Sequence, residues 1–103
     1  MGPSPVKSVM SESRENRIKR LGYRAGRRGF KEADLLIGGF AHARLPELGE
    51  AELDDFEALL DEPDPDLYAW VMGQTEPPAR VRGNVLDQMR RFARDGAVAK
   101  ADA

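Results

Sequence analysis

The sequence has no cysteine and a single histidine, His42, in 103 residues. Without cysteine there is no disulfide framework, thiolate metal site or thiol nucleophile, and a reducing compartment, the cytoplasm by default, is the expected address. One imidazole without a second His or a Cys completes neither a metal site nor a nucleophile–base pair, so His42 reads as a surface or boundary residue. Serines are few and gather before the first helical pattern with no base beside them, which leaves a Ser-His-Asp arrangement unsupported. Gly22, Gly26 and Gly29 lack the dinucleotide-binding spacing and follow no strand pattern. Long apolar runs are missing as well. The stretch Met1 to Met10 carries Lys7 as its only charge and two prolines, matching neither a secretory signal nor a membrane span. No segment alternates polar and β-branched residues, and no repeat of solenoid length occurs.

What is present is helical. Apolar residues make up 41% of the chain and charged residues 33%, enough for one small domain with one core. Ser13 is a candidate N-cap for a helix to about Arg27, with Ile18, Leu21 and Ala25 on one stripe. A second helix is predicted from Phe30 to Ala43, where Ala33, Leu36, Ile37, Phe40 and Ala41 share a face. The glycines at 38 and 39 suit a close helix crossing. Gly49 opens a third helix to Leu60, and Asp64-Pro65 opens a fourth, with Asp64 as its capping carboxylate, that ends by Gly73. A last helix is expected from Arg80 to Asp95, closed by Gly96, with Val81, Val85, Met89 and Phe92 inward. The resulting expectation is an all-α, antiparallel bundle of four to five helices over 13–96, flanked by a flexible leader (1–12) and a flexible tail (97–103).

Charge is distributed in blocks that the net value of -2 conceals. Between Arg14 and Lys31 eight cations face one acid, Glu15, whereas Glu47 to Asp66 holds ten acids and no base. Such blocks either dock onto a charged partner or attract one another within the fold. A basic first helix makes a nucleic-acid-binding or regulatory protein the rival reading. Against it, Tyr23 and Phe30 are the only aromatics near the basic run, which gives little surface for base stacking.

Two segments resemble a known family. Arg17-Ile18 with Arg27-Arg28-Gly29-Phe30-Lys31-Glu32-Ala33-Asp34, followed by Leu60-Asp61-Glu62-Pro63-Asp64-Pro65-Asp66-Leu67-Tyr68-Ala69-Trp70, is similar to the succinate dehydrogenase assembly factor 2 family, called SdhE in bacteria. Its Arg-Gly-x-x-Glu signature is matched by Arg28, Gly29 and Glu32, and the likeness extends from about Arg14 to Arg94.

The resemblance implies a non-enzymatic assembly factor, a monomer that binds the flavoprotein subunit of succinate dehydrogenase, or of fumarate reductase, and promotes covalent attachment of FAD to it. It implies no stably bound cofactor, since FAD belongs to the partner, and neither nucleic-acid binding nor membrane insertion. Partner contacts would fall on Arg28, Gly29 and Glu32, with Arg27, Asp34 and Arg17 beside them. Arg28 is expected to be exposed and to reach a partner carboxylate or carbonyl, Glu32 a partner base, and Gly29 to let two backbones approach. The competing expectation is that Arg28 and Glu32, four apart on a helix, merely bridge each other.

Overall fold

The hydroxyl of Ser13 accepts a hydrogen bond from the Asn16 amide at 3.0 Å, and from that cap helix α1 runs Arg14–Ala25. A computed structural model describes residues 12–102, with side chains as far as Asp95. The leader expected over 1–12 therefore lies outside the described residues except for Glu12, and the side chains of the expected tail lie outside them entirely.

The chain turns at Gly26 and re-enters a helix after Phe30, whose extended backbone (φ -144°) stands at the start of α2, Lys31–Arg44. Gly38 is where the two helices meet. A Cβ there would lie 3.0 Å from the Gly26 Cα, so the missing side chain is what allows the backbones so close. A 3₁₀ turn at Leu45–Glu47, containing Pro46, leads to α3, Glu50–Leu60. The Glu52 carboxylate caps α3 by accepting from the Gly49 amide at 2.9 Å. Helix α4 is Asp64–Val71, and the last helix, α5, is Asn84–Asp102. Among the described residues there is no strand, and the all-α bundle is observed as expected.

Three boundaries differ from the sequence reading. Pro63, rather than Asp64, occupies the cap position of α4, because the Asp64 carboxylate is turned towards Arg28. The last helix begins at Asn84 instead of Arg80: Ala79–Val81 makes one 3₁₀ turn and Arg82 is extended (ψ 144°), which breaks the helical register. Gly96 lies inside α5 and does not cap it, a position that costs a helix about 1 kcal/mol relative to alanine but does not end it.

The core is assembled around Phe40 of α2. Its ring meets Phe56 of α3 at 5.8 Å and Phe92 of α5 edge-on at 5.7 Å, which ties three helices at one point. Leu21 and Ala25 of α1, Leu53 of α3, and Trp70 of α4 are buried as their spacing predicts. On α5 the buried stripe is Val85, Leu86, Met89 and Ala93, while Val81 and Phe92 are only partly covered. Leu86 and Ala93 escape the sequence reading because starting the helix at Arg80 centres the stripe one residue off.

The basic face of α1 is met by the acidic face of α3. Arg14 pairs with Glu50 at 3.1 Å, Arg17 with Asp54 at 2.6 Å and Glu57 at 3.0 Å, Arg20 with Glu57 at 3.0 Å, and Arg24 with Asp61 at 2.8 Å. The sequence offset is 36 to 37 in four of these pairs and 40 in Arg17–Glu57, so α1 and α3 lie side by side and point the same way. The charge blocks thus attract one another within the fold. Beside Arg20 first, and then Arg17, the Glu57 carboxyl is held below the usual carboxylate range against the cost of partial burial. Both guanidinium groups are correspondingly harder to deprotonate.

Two outcomes follow from this packing. Because the folded-state pKa of Glu57 is depressed below 4.5, its contribution is complete above that value and is lost as pH falls through the folded-state pKa. Melting curves taken from pH 7 down to pH 3 should show Tm falling in acid. Glu57→Gln should fall less steeply and at pH 7 be weaker by about 1 kcal/mol; equal acid slopes for both proteins would contradict the ladder. Gly38→Ala should cost about 1 to 3 kcal/mol in urea unfolding, since the obstructing atom is backbone.

Candidate interaction site

The loop between α1 and α2 is held by a buried charge. The Arg28 side chain is only 6% exposed, and its guanidinium reaches across to the junction between α3 and α4. Nη1 donates to the Leu60 carbonyl at 2.6 Å, Nη2 donates to the Glu62 carbonyl at 2.9 Å, and Nη2 pairs with Asp64 at 2.8 Å. The two carbonyls belong to the end of α3 and the turn that follows it, where helical partners run out. Arg28 therefore satisfies acceptors that the helix cannot, and in exchange its charge is neutralised out of water. Nε has no hydrogen-bond partner among the described residues.

The backbone of the same loop is fixed from the other side. The Asp34 carboxylate accepts from the Arg28 amide and from the Gly29 amide at 3.3 Å. Gly29 has φ +125°, a region open to glycine and strained for other residues, and a Cβ there would lie 2.7 Å from Asp64 Oδ2. Below the loop, the half-buried Phe30 packs edge-on against Tyr68 at 5.2 Å. Loop and α3–α4 junction thus form one clasp, with Arg28, Asp64 and Gly29 occupying adjacent space.

The candidate residues separate into two groups. Arg28 was expected to stand exposed, and its burial overturns that expectation. The bridge to Glu32 is also not formed, because the guanidinium is engaged by Asp64 and the two carbonyls. Arg17 is turned towards α3 and Asp34 towards its own loop. Glu32 and Arg27 are the outward members: Glu32 is exposed at the start of α2 with no ion pair among the described residues, and Arg27 stacks over the Tyr23 ring at 4.5 Å. Gly29 is exposed too, which leaves its backbone accessible. His42 is exposed on α2.

The residue that sequence reasoning missed is Asp64. Its motif is conspicuous, but an Asp before a Pro at a helix start reads first as a cap, and nothing local reveals that a guanidinium thirty-six positions earlier competes for it.

Comparison with known proteins bears on this arrangement. Residues 19–93 match the family model described as flavinator of succinate dehydrogenase. The chain is similar to the FAD assembly factor SdhE of Acetobacter pasteurianus, 34% identical over 99 residues that cover 93% of this chain and 88% of that protein. It is 46% identical over 78 residues to succinate dehydrogenase assembly factor 2, mitochondrial, of Mycosarcoma maydis, covering 76% of this chain and 33% of that protein. The protein of the same name from Cryptococcus neoformans is 34% identical over 94 residues, covering 90% of this chain and 53% of its own length. The chain thus spans about a third to a half of the length of these fungal relatives.

The clasp predicts how the signature tolerates change. Arg28→Ala strips the donor from two carbonyls and leaves Asp64 unpaired, and should cost about 3 to 5 kcal/mol in denaturant unfolding. Arg28→Lys keeps the charge without the fork and should recover only part of the loss. A loss below about 1 kcal/mol for Arg28→Ala would show that the clasp does not carry the loop.

Proposed function

The chain belongs to the family described as flavinator of succinate dehydrogenase, and from that premise we propose that it is an assembly factor that binds the flavoprotein subunit of that enzyme and promotes covalent attachment of FAD to it. The flavoprotein of fumarate reductase is the second candidate client. One observation carries the reading to particular residues: a loop held by buried contacts presents Gly29 and Glu32 outward while the Arg28 charge beside them is turned inside and paired with Asp64.

Such a surface suits a helper that shapes another protein's site. Bond formation between a side chain of the client and its flavin requires the two to be held in register and developing charge to be stabilised. A preformed contact loop supplies the first by binding one conformation of the client better than others. In this proposal the flavin and its acceptor side chain belong to the client, this chain holds no cofactor of its own, contributes no catalytic group, and acts as a monomer. Glu32 meets a basic group of the client, and Gly29 admits the client's backbone.

Three other site assignments from the sequence change their meaning within this proposal. Arg28 and Asp34 support the contact by fixing the loop, and Arg17 supports it by holding α1 against α3. The nucleic-acid reading loses its main support, because the arginines of α1 that would neutralise phosphates already face carboxylates. Among the described residues no helix is long and apolar enough to cross a membrane. The cytoplasmic address is kept as part of the proposal; the fungal relatives are named mitochondrial, so the common requirement is the compartment in which the client is assembled.

The test is complementation of a strain lacking its own assembly factor, with covalent flavin on the client read by fluorescence in a denaturing gel. Wild type should restore the signal. Glu32→Ala, matched in expression and melting temperature, should restore it at least fivefold less well. Full restoration by Glu32→Ala would remove Glu32 from the contact. Tight, log-linearly salt-dependent binding of unrelated DNA or RNA with no flavoprotein contact would overturn the reading altogether.

A further inference from the structure

With most of the arginines of α1 engaged by α3, the outward side of the α1–α2 pair has a composition of its own. The two most exposed large apolar side chains among the described residues are Tyr23, 65% exposed, and Leu35, 63% exposed. Their positions are related by the helix crossing. Tyr23 is three residues before Gly26 and Leu35 three before Gly38, and those two glycines are the point of closest approach. At about 100° per residue each therefore stands roughly 60° round its own helix from the crossing, and in an antiparallel pair the same offset puts both on the same side. That side faces away from the core, since Leu21 and Ala25 on α1 and Ala33 and Ile37 on α2 lie opposite.

Cations frame these two side chains. Lys19, Arg27 and Lys31 are exposed and take part in no ion pair among the described residues, unlike Arg14, Arg17, Arg20, Arg24 and Arg28. Arg27 lies over the Tyr23 ring, which limits the freedom of both side chains before anything binds. Lone exposed apolar residues are unremarkable, but tyrosine and arginine are among the residues that dominate binding energy where proteins meet, and here the two are stacked on the same side of the helix pair as an exposed leucine.

We propose that Tyr23, Arg27, Lys31 and Leu35 form a second contact area, continuous with Glu32, on which the flavoprotein subunit docks. This rests on the function proposed above and extends it from the loop to the outer face of both helices. Glu32 and Leu35 are one turn apart on α2, so a surface that reaches Glu32 reaches Leu35 as well. The matching surface on the client is an apolar depression with carboxylates at its rim and one basic group opposite Glu32. A second copy of this chain fits less well, because a two-fold arrangement would set this cation-bearing face against an identical one.

The experiment is titration of the purified chain against the purified flavoprotein subunit, with Leu35→Glu, Arg27→Glu and Met72→Glu compared to wild type after their melting curves are shown to agree. Met72 is exposed but stands at the end of α4, outside the proposed face. Leu35→Glu and Arg27→Glu should each weaken binding at least tenfold, and Met72→Glu should stay within twofold. Wild-type binding that survives both substitutions within twofold would overturn the docking face and leave the proposed function standing. No wild-type binding would overturn both. A wild-type dimer in sedimentation that Leu35→Glu dissolves would assign the face to self-association and overturn the proposal.

Discussion

A guanidinium removed from water must be matched by acceptors and by an opposite charge, and the placement of the loop, of the α3–α4 junction and of the outward residues follows from how Arg28 meets that demand. Its fork is filled by two carbonyls that α3 leaves unpaired and by the carboxylate at the start of α4. Each group would be costly to bury alone, and together they neutralise one another. The joined segments are far apart in sequence, so the clasp also fixes how the α1–α2 hairpin sits on the rest of the bundle. Gly29 follows from it: with Asp64 drawn up to Arg28, no side chain fits at that turn, and the backbone adopts a φ of +125°.

Arg28 with Asp64 is also the inner end of the α1–α3 ladder. The outer pairs are water-exposed to varying degrees, Arg14 at 40% and Arg24 at 35%, whereas Arg28 is at 6%. Screening makes the exposed rungs individually weak and the buried one strong, so the ladder sets orientation along its length and concentrates its energy at the loop. It also accounts for where most of the charge of a strongly basic first helix goes. Of the cations between Arg14 and Lys31, those without an ion pair among the described residues are Lys19, Arg27 and Lys31, on the opposite side of the α1–α2 pair.

Much of this was legible from sequence, and the limits have physical causes. The buried faces of α1, α2 and α3 follow from apolar spacing, and the Ser13 and Gly49 caps from local chemistry, because both signals lie within one or two turns. The start of α5 was missed: Arg80 and Val81 fit a helical pattern, and only the extended Arg82 breaks it. The site was half legible. The signature located the loop, yet sequence treated Arg28 and Glu32 as equivalent charged residues on a surface. Which of them faces inward depends on where Leu60, Glu62 and Asp64 arrive in space, and no spacing rule within the motif carries that information.

A signature of this kind therefore combines two demands that mutation would otherwise confuse. Arg28, Gly29 and Asp64 are constrained by each other, and a change at any of them alters the loop before it alters a contact. Glu32 is constrained by nothing inside the described structure, and in the function proposed above that is what leaves it for the client. The same reasoning separates Tyr23 and Leu35 from the core residues on their helices: burial explains Leu21 and Ile37, and nothing internal explains a large apolar side chain left mostly in water beside an unpaired cation. In the proposed role, residues that the fold does not need are the ones left to a partner, and Tyr23, Arg27, Glu32 and Leu35 are of that kind, next to the loop that the buried arginine holds still.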